Sequence, residues 1–482
     1  MELVKGMDIT LDIFDMGDQG NGIGRAAGLV VFVDGAVKGD RVLARLTQVK
    51  KSFARGYVKE IIKPSPDRIE AECPYHDLCG GCSYGCLTYE AELAVKENQV
   101  REKLARIGGV DREKVGAITG LTEPYRYRNK ATMPISTGGN IKRKGGVIEN
   151  LGPVAIGFYQ QRSHVVVDCE DCLLLSPPAM AAAKAVRDFI EEDGLTAWDP
   201  KWSQGLFRHL VVRTAEGTGE VMVILVINGK GIPGVQKLVT MLDDAIDETG
   251  YSLESVYINI NSENTSEVYG KKMQLLAGKP VIEEVMGERK FEVSPRSFYQ
   301  VDPVMAEALY DQVKAFADLC GEENVLDLYC GVGTIGLWLA DEAKYITGIE
   351  IVPEAVVDAN RNAVINGIVN ARFLTGKAEE VMPAILKGEF TGDEVAASVV
   401  KDADIVILDP PRKGCQPELL DAVREVAPEK IIYVSCDPAT LARDIAYLSD
   451  AYTVEQALPF DMFPRTNHCE VVVSMSRVGS KR

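Results

Sequence analysis

The chain has 482 residues, 46% of them hydrophobic and 26% charged, and a formal net charge of −18. That composition is globular, and the length exceeds what one hydrophobic core spans, so about three domains are expected. No apolar run is long enough to cross a bilayer, and the opening Met-Glu-Leu-Val-Lys-Gly-Met-Asp lacks the basic and apolar regions of a signal peptide. A cytoplasmic protein with reduced thiols and no membrane partner is therefore expected. Its eleven cysteines point to metal binding or catalysis before disulfides.

The acidic balance works against a polyanionic partner, yet two stretches run the other way. Residues 38–63 carry Lys38, Arg41, Arg45, Lys50, Lys51, Arg55, Lys59 and Lys63 against Asp40 and Glu60. Residues 124–148 carry Arg126, Arg128, Lys130, Lys142, Arg143 and Lys144 with no acid. Local basic surfaces on an acidic chain can grip nucleic acid while the net charge limits non-specific sticking.

In chain order, residues 1–62 alternate in hydrophobicity over strand-length runs (Leu11 to Phe14, Leu29 to Val33, Arg41 to Leu46, Ala54 to Ile62) punctuated by glycines. This predicts a small OB-like β-barrel, an architecture that often binds oligonucleotides, ended by the linker Lys63-Pro-Ser-Pro66. Cys73-Pro-Tyr-His-Asp-Leu-Cys79-Gly-Gly-Cys82 follows. Its two glycines allow a tight fold that converges three sulfurs, as zinc or iron–sulfur ligation requires. Cys86, Cys169, Cys172 and His76 are the candidates for a fourth ligand, and the spacing leaves zinc and cluster both open. Leu87 to Gly108 reads as one amphipathic helix with Leu93, Val100, Leu104 and Ile107 on its packed face. Tyr125-Arg-Tyr-Arg-Asn-Lys130 interleaves aromatics with cations, a combination able to stack on bases and pair with phosphates. Residues 63–290 are taken as a central mixed α/β domain that recognises RNA and carries the cysteine loop.

Residues 291–482 change to regular β/α alternation, the signature of a doubly wound sheet. The strand Asn324 to Tyr329 enters Gly331-Val-Gly-Thr-Ile-Gly336, and the acid Glu350 ends the next strand. That pattern suits a dinucleotide or S-adenosylmethionine. Asp409-Pro-Pro-Arg412 favours the second, because a rigid strand-end loop of this kind accompanies methyl transfer to planar nitrogen or carbon. The strand Lys430 to Val434 then delivers Cys436 to a turn at its carboxyl end. A thiolate there suits a poor carbon nucleophile such as uracil carbon 5, since attack at carbon 6 creates an enolate that can take a methyl group. The carbon-5 proton must leave afterwards, and Asn467-His-Cys-Glu470 offers Glu470, with His468 as the competing base.

These motifs together resemble the RNA (uracil-5-)-methyltransferase family, in its iron–sulfur branch acting on 23S rRNA. Residues 1–62 resemble a TRAM domain, Cys73/Cys79/Cys82 its cluster motif, and Gly157-Phe-Tyr with Ser163-His164 and Cys172 the segment supplying the fourth ligand. Ser294-Pro-Arg-Ser-Phe-Tyr-Gln300 resembles the cofactor-contact segment. The resemblance implies a multidomain α/β chain with a Rossmann-like methyltransferase domain. Gln300, Tyr329, Gly331, Gly333, Glu350 and Asp409 would contact S-adenosylmethionine, Cys436 would be the nucleophile and Glu470 the base. Cys73, Cys79, Cys82 and Cys172 would hold a [4Fe-4S] cluster, and residues 88–110 would pack with the catalytic domain. The expected partner is RNA, ribosomal before transfer RNA, bound by a monomer. Asp302 and Asp437 depart from the family's asparagines and add charge near the site. The alternative of another class is a cluster-bearing RNA-binding protein without methyltransferase activity, separable by S-adenosylmethionine binding.

Overall fold

In the computed structural model, which describes residues 2–138, 140–142, 148–150, 152–265 and 267–479, the amino-terminal strands alternate buried and exposed side chains as half-buried strands must. Asp8–Asp12, Asp15–Met16, Gly22–Ala26, Leu29–Asp34, Arg41–Val49 and Phe53–Lys63 join one six-stranded sheet over a core that includes Val31, Val33, Val42, Ala44, Leu46 and Ala54. The turn Lys38-Gly39-Asp40 is held by its acid. Buried Asp40 accepts from the Val37 and Ser65 N–H groups at 2.8 and 2.9 Å and pairs with Arg68 at 2.7 Å.

The central sheet has seven strands in the order Val166–Asp168, Val154–Tyr159, Lys130–Thr137, Phe207–Ala215, Glu220–Ile227, Ser252–Ile260, Lys272–Gly278. Helices Pro177–Glu192 and Val235–Asp247 cover one face. The other face gives Val211, Met222, Ile224 and Tyr257 to a core shared with the carboxyl-terminal unit. Two apolar faces, one internal and one shared, explain why these strands read as near-continuous apolar runs.

The carboxyl-terminal sheet is ordered Ala371–Thr375, Tyr345–Glu350, Asn324–Leu328, Ile405–Leu408, Lys430–Ser435, Glu470–Arg477, Tyr452–Phe460. The first five strands are parallel, as the β/α alternation predicts. Glu470–Arg477 is antiparallel to both neighbours, with Ser435 opposite Val471. The sequence does not announce this reversal. Because of it, the start of Glu470–Arg477 lies beside the carboxyl ends of the parallel strands, where open α/β sheets bind ligands.

The predicted long helix spans Tyr89–Gly108, with the Thr88 side chain accepting from the Ala91 N–H. It packs against the helix Pro438–Leu448, and an added Cβ on Gly108 would lie 3.2 Å from the Ala442 carbonyl oxygen. Its packed face differs from the apolar stripe. Val100 and Leu104 are buried, but Ile107 is 49% exposed, while Glu92 and Lys96 are buried at 0% and 1%. The Lys96 ammonium donates to Glu92 Oε1 and Asp461 Oδ1, each at 2.7 Å, and to the Phe463 carbonyl at 3.1 Å. A heptad-like reading marks apolar residues only and misses a helix face built on a paired charge. Replacing Lys96 by Ala strands two buried carboxylates and is expected to cost about 3–5 kcal/mol in urea unfolding. A loss below about 1 kcal/mol would show the triad to be dispensable.

Candidate active site

The strand ends bring one group of side chains together. Tyr329 follows the strand Asn324–Leu328 in a left-handed conformation, φ +65°, and its N–H and that of Cys330 both donate to the Ile349 carbonyl. Gly333, φ +80°, then opens the helix Thr334–Leu339. A side chain at Gly333 would be strained by this φ and would also meet Phe373 at 2.8 Å. Glu350 closes the loop by accepting from the Gly331 N–H at 3.1 Å and the Val352 N–H at 2.9 Å. Buried Asp327 accepts from the Gly336 N–H at 3.0 Å. Burial, helped by the charges of Asp409 and Glu350, pushes Asp327 up to about 8.

Asp409 and Glu470 complete this acidic corner. Burial and the Glu350 charge push Asp409 up to about 7, and burial and the Asp409 charge push Glu470 up to about 8. Half-buried Cys436 sits just past the strand Lys430–Ser435. Burial, then the charges of Glu470 and Asp409, push its thiol up to about 12. Arg412 is the cation that opposes the shift at both Cys436 and Glu470. The sequence reading had Arg412 inside a motif but gave it no role. His468 faces this cation, with Nε2 at 3.3 Å from Arg412 Nη2. Burial and Arg412 hold His468 down at about 4, so the imidazole is neutral near pH 7. Gln300 is buried, and its backbone carbonyl accepts from Asn129 Nδ2 at 2.9 Å.

The two departures from asparagine are helix caps. Asp437 Oδ1 accepts from the Ala439 and Thr440 N–H groups at 2.9 and 3.1 Å, capping Pro438–Leu448. Asp302 Oδ1 accepts from Met305 N–H at 3.0 Å, capping Pro303–Ala317. Either acid or amide can serve at an N-cap, which explains how the carboxylates are accommodated.

Cys73, Cys79 and Cys82 lie on the loop before the long helix, and Cys172 comes from the central unit. A cavity is lined by Cys73, Cys82, Cys172, His76, Tyr125 and Arg465, among others. Burial raises Cys79 to about 11, with Cys172 and Cys73 adding to the shift. Cys172 is instead held down at about 7, first by a hydrogen bond from Cys169. Cys86 packs into a different apolar group with Tyr84 and Leu87. The loop approaches the central unit closely at Gly80, whose N–H donates to the Tyr159 carbonyl at 2.9 Å and where a Cβ would lie 3.0 Å from that oxygen. Among the described residues no three His, Cys, Asp or Glu side chains are placed to share a single metal ion.

The family model for tRNA (Uracil-5-)-methyltransferase matches residues 270–478, and that for the TRAM domain matches residues 4–59. An uncharacterized RNA methyltransferase of Halalkalibacterium halodurans is 39% identical over 465 residues, 96% of each chain. One from Caldanaerobacter subterraneus subsp. tengcongensis is 40% identical over 481 residues, 99% of this chain and 100% of its own. The chain belongs to the RNA (uracil-5-)-methyltransferase family. The crystal structure of Pyrococcus abyssi tRNA (uracil-54, C5)-methyltransferase in complex with S-adenosyl-L-homocysteine is similar throughout, with a TM-score of 0.72, 27% identity, and coverage of 97% of this chain and 100% of that one. This methyltransferase is S-adenosylmethionine-dependent and acts on RNA. Among the described residues no helix is long and apolar enough to cross a membrane.

In this methyltransferase four side chains of the aromatic–cationic run 125–130 make internal bonds. Tyr125 donates to Glu72 at 2.9 Å, Arg126 pairs with Asp171 at 2.7 Å, buried Tyr127 donates to the Pro464 carbonyl at 3.1 Å, and buried Asn129 reaches Gln300. The side chain of Lys142, and Arg143 and Lys144, lie outside the described residues. In the barrel, Arg45 and Lys59 are tied to Asp8. Lys50 lies over Phe53, and Arg55 over Phe32 and Phe53, in cation–π contact. The capping role of Asp437 predicts that Asp437→Ala lowers stability by about 1 kcal/mol in thermal unfolding, while Asp437→Asn stays within a few tenths. Equal effects of the two would remove the capping account.

Proposed function

We propose that the chain methylates carbon 5 of a uridine in RNA through a covalent bond from Cys436, with Glu470 removing the carbon-5 proton. The observation that carries this reading is the pairing of a thiol at the end of a parallel strand with a buried carboxylic acid at the start of its antiparallel neighbour, both facing Asp409 and Arg412. Gln300, Tyr329, Gly331, Gly333, Glu350 and Asp409 hold S-adenosylmethionine, which supplies an electrophilic methyl group. Glu350 keeps lone pairs for ribose hydroxyls after accepting its two backbone bonds.

The Cys436 thiol, pushed up by burial and by the charges of Glu470 and Asp409, must lose its proton to solvent before the sulfur can attack. Arg412 stabilises the thiolate. The sulfur electron pair forms the bond to carbon 6, the carbon 5–carbon 6 double bond shifts to give an enolate, and carbon 5 takes the methyl group as that group's bond to the sulfonium sulfur breaks. Glu470 gives up its own proton to solvent, an ionisation that burial and the Asp409 charge push up to about 8. It then accepts the carbon-5 proton, the carbon 5–carbon 6 double bond re-forms, and the Cys436–carbon 6 bond breaks to return the thiolate. The target base must be unstacked to reach this corner, and the barrel, with its Lys50, Arg55, Phe32 and Phe53 face, grips the surrounding backbone.

Cys73, Cys79, Cys82 and Cys172 hold a [4Fe-4S] cluster, whose bound form would fasten the cysteine loop to the central unit. The resemblance of this quartet to the cluster-bearing 23S rRNA enzymes supports ribosomal RNA as substrate. A second reading, transfer RNA, is favoured by the similarity to the Pyrococcus abyssi enzyme. Mapping 5-methyluridine by mass spectrometry in rRNA and tRNA from a deletion strain separates the two.

RNA carrying 5-fluorouridine is expected to trap a denaturation-resistant complex through Cys436, because fluorine cannot leave as a proton. Cys436→Ala should abolish both the complex and turnover, and a variant that still methylates would sink the mechanism. Glu470→Gln should lose about 10²- to 10⁴-fold in turnover while accumulating methylated RNA bound to protein. The wild-type rate of adduct resolution should rise with pH through about 8, where Glu470 loses its proton, and this limb should vanish in the variant.

A further inference from the structure

Glu470 sits at the end of a turn, residues 461–470, that is fastened by other parts of the chain. The Asp461 N–H donates to the Thr119 carbonyl, the Pro464 carbonyl accepts from Tyr127, and Asn467 Nδ2 donates to the Asp18 carbonyl in the barrel. Arg465 carries the largest share. Its carbonyl accepts from the Ser83 and Tyr84 N–H groups at 2.8 and 3.1 Å, the residues that immediately follow Cys82. Its N–H donates to Glu92 Oε1 at 2.7 Å, and Nη1 donates to the Leu87 carbonyl at 2.9 Å. The guanidinium lies 5.0 Å from the Tyr125 ring centroid and 5.6 Å from that of Tyr89.

Two further features set Arg465 apart. Its φ of +67° is a left-handed conformation that a non-glycine residue keeps only when its surroundings hold it there. Its side chain also lines the cavity shared by Cys73, Cys82 and Cys172, and its Nε is buried with no hydrogen-bond partner among the described residues. A buried cation with a spare donor beside three cysteine sulfurs suits an anionic cluster, whose surroundings commonly supply such hydrogen bonds.

We propose that Arg465 is the positioning residue through which the cysteine loop holds the 461–470 turn, and with it Glu470, in register with Cys436. The proposal rests on the reading of Glu470 as the base and of the quartet as a cluster site. It assigns the cluster a mechanical role: it orders Cys79 to Tyr84, whose backbone N–H groups seat Arg465. Misplacing the base by this route slows proton removal and leaves methyl transfer and RNA binding intact.

The test uses the full chain purified with its iron and sulfide, as wild type, Arg465→Met, Arg465→Lys and Glu470→Gln. Three readouts are followed: kcat against KM for RNA, the fraction of methylated RNA left covalently bound to protein, and amide deuterium exchange across residues 461–469. Arg465→Met is expected to lower kcat up to about 10²-fold, leave KM unchanged, accumulate the methylated adduct as Glu470→Gln does, and raise exchange in that segment. Arg465→Lys should recover part of the loss. Cys79→Ser should raise exchange in the same segment, independently of any activity. If Glu470→Gln accumulates adduct while Arg465→Met folds with normal exchange and kcat, the positioning role is wrong. If neither variant accumulates adduct, the assignment of Glu470 fails first. If Arg465→Met loses only iron and stability, with no rise in adduct fraction, Arg465 is a structural residue and the proposal is overturned.

Discussion

A single buried ammonium ties this fold together. Lys96 is enclosed between Glu92 on its own helix and Asp461, 365 residues further along the chain. Burial works against its charge, and the two carboxylates outweigh that cost. Taking three charges out of water is tolerable only while all three stay paired. The consequence is geometric: a helix that follows the cysteine loop in sequence is bound to the turn that leads into the last strand of the catalytic sheet. Glu92 also accepts the Arg465 N–H, so the same carboxylate fixes helix and turn at once.

The active-site corner depends on the opposite condition, incomplete pairing. The Asp409 charge raises Asp327 and Glu470, and the Glu350 charge raises Asp327 and Asp409, inside a region where burial already disfavours their charged forms. The Arg412 charge opposes the shifts at both Cys436 and Glu470. Acids so placed hold or release protons near neutrality, which suits proton transfer at a reacting carbon. The antiparallel last strand is what makes the arrangement possible. In a wholly parallel sheet, Glu470, as the first residue of its strand, would lie at the far edge from Cys436.

Much of this was legible in the chain itself, and the failures share a cause. The strand-end motifs sit at the ends of the strands that periodicity predicts, because period-2 and β/α patterns report local burial directly. The Tyr125–Lys130 run has the residue types of an RNA contact, yet its groups close bonds between the cysteine loop, the base-bearing turn and Gln300. Composition states what a side chain can bond to, whereas only the fold states whether those bonds are already made. Ile107 fits an apolar stripe and is exposed, while Lys96 does not fit and is buried, because its partner lies on a segment no local window contains. Asp302 and Asp437 read as extra charge beside the site, but each is a helix cap whose backbone partners lie within three residues. Both precede proline at a helix start, a pairing that by itself favours a cap.

The sequence by itself determined the β/α alternation of the carboxyl-terminal unit and the motifs at its strand ends, because those patterns are short and local. Only the tertiary structure decided that Glu470 faces Cys436, that the Arg412 charge acts on both, and that Arg465 links the cysteine loop to the turn before Glu470. Those relations come from strand reversal and from long-range pairing of buried charge, which depend on positions hundreds of residues apart and leave no period in the chain.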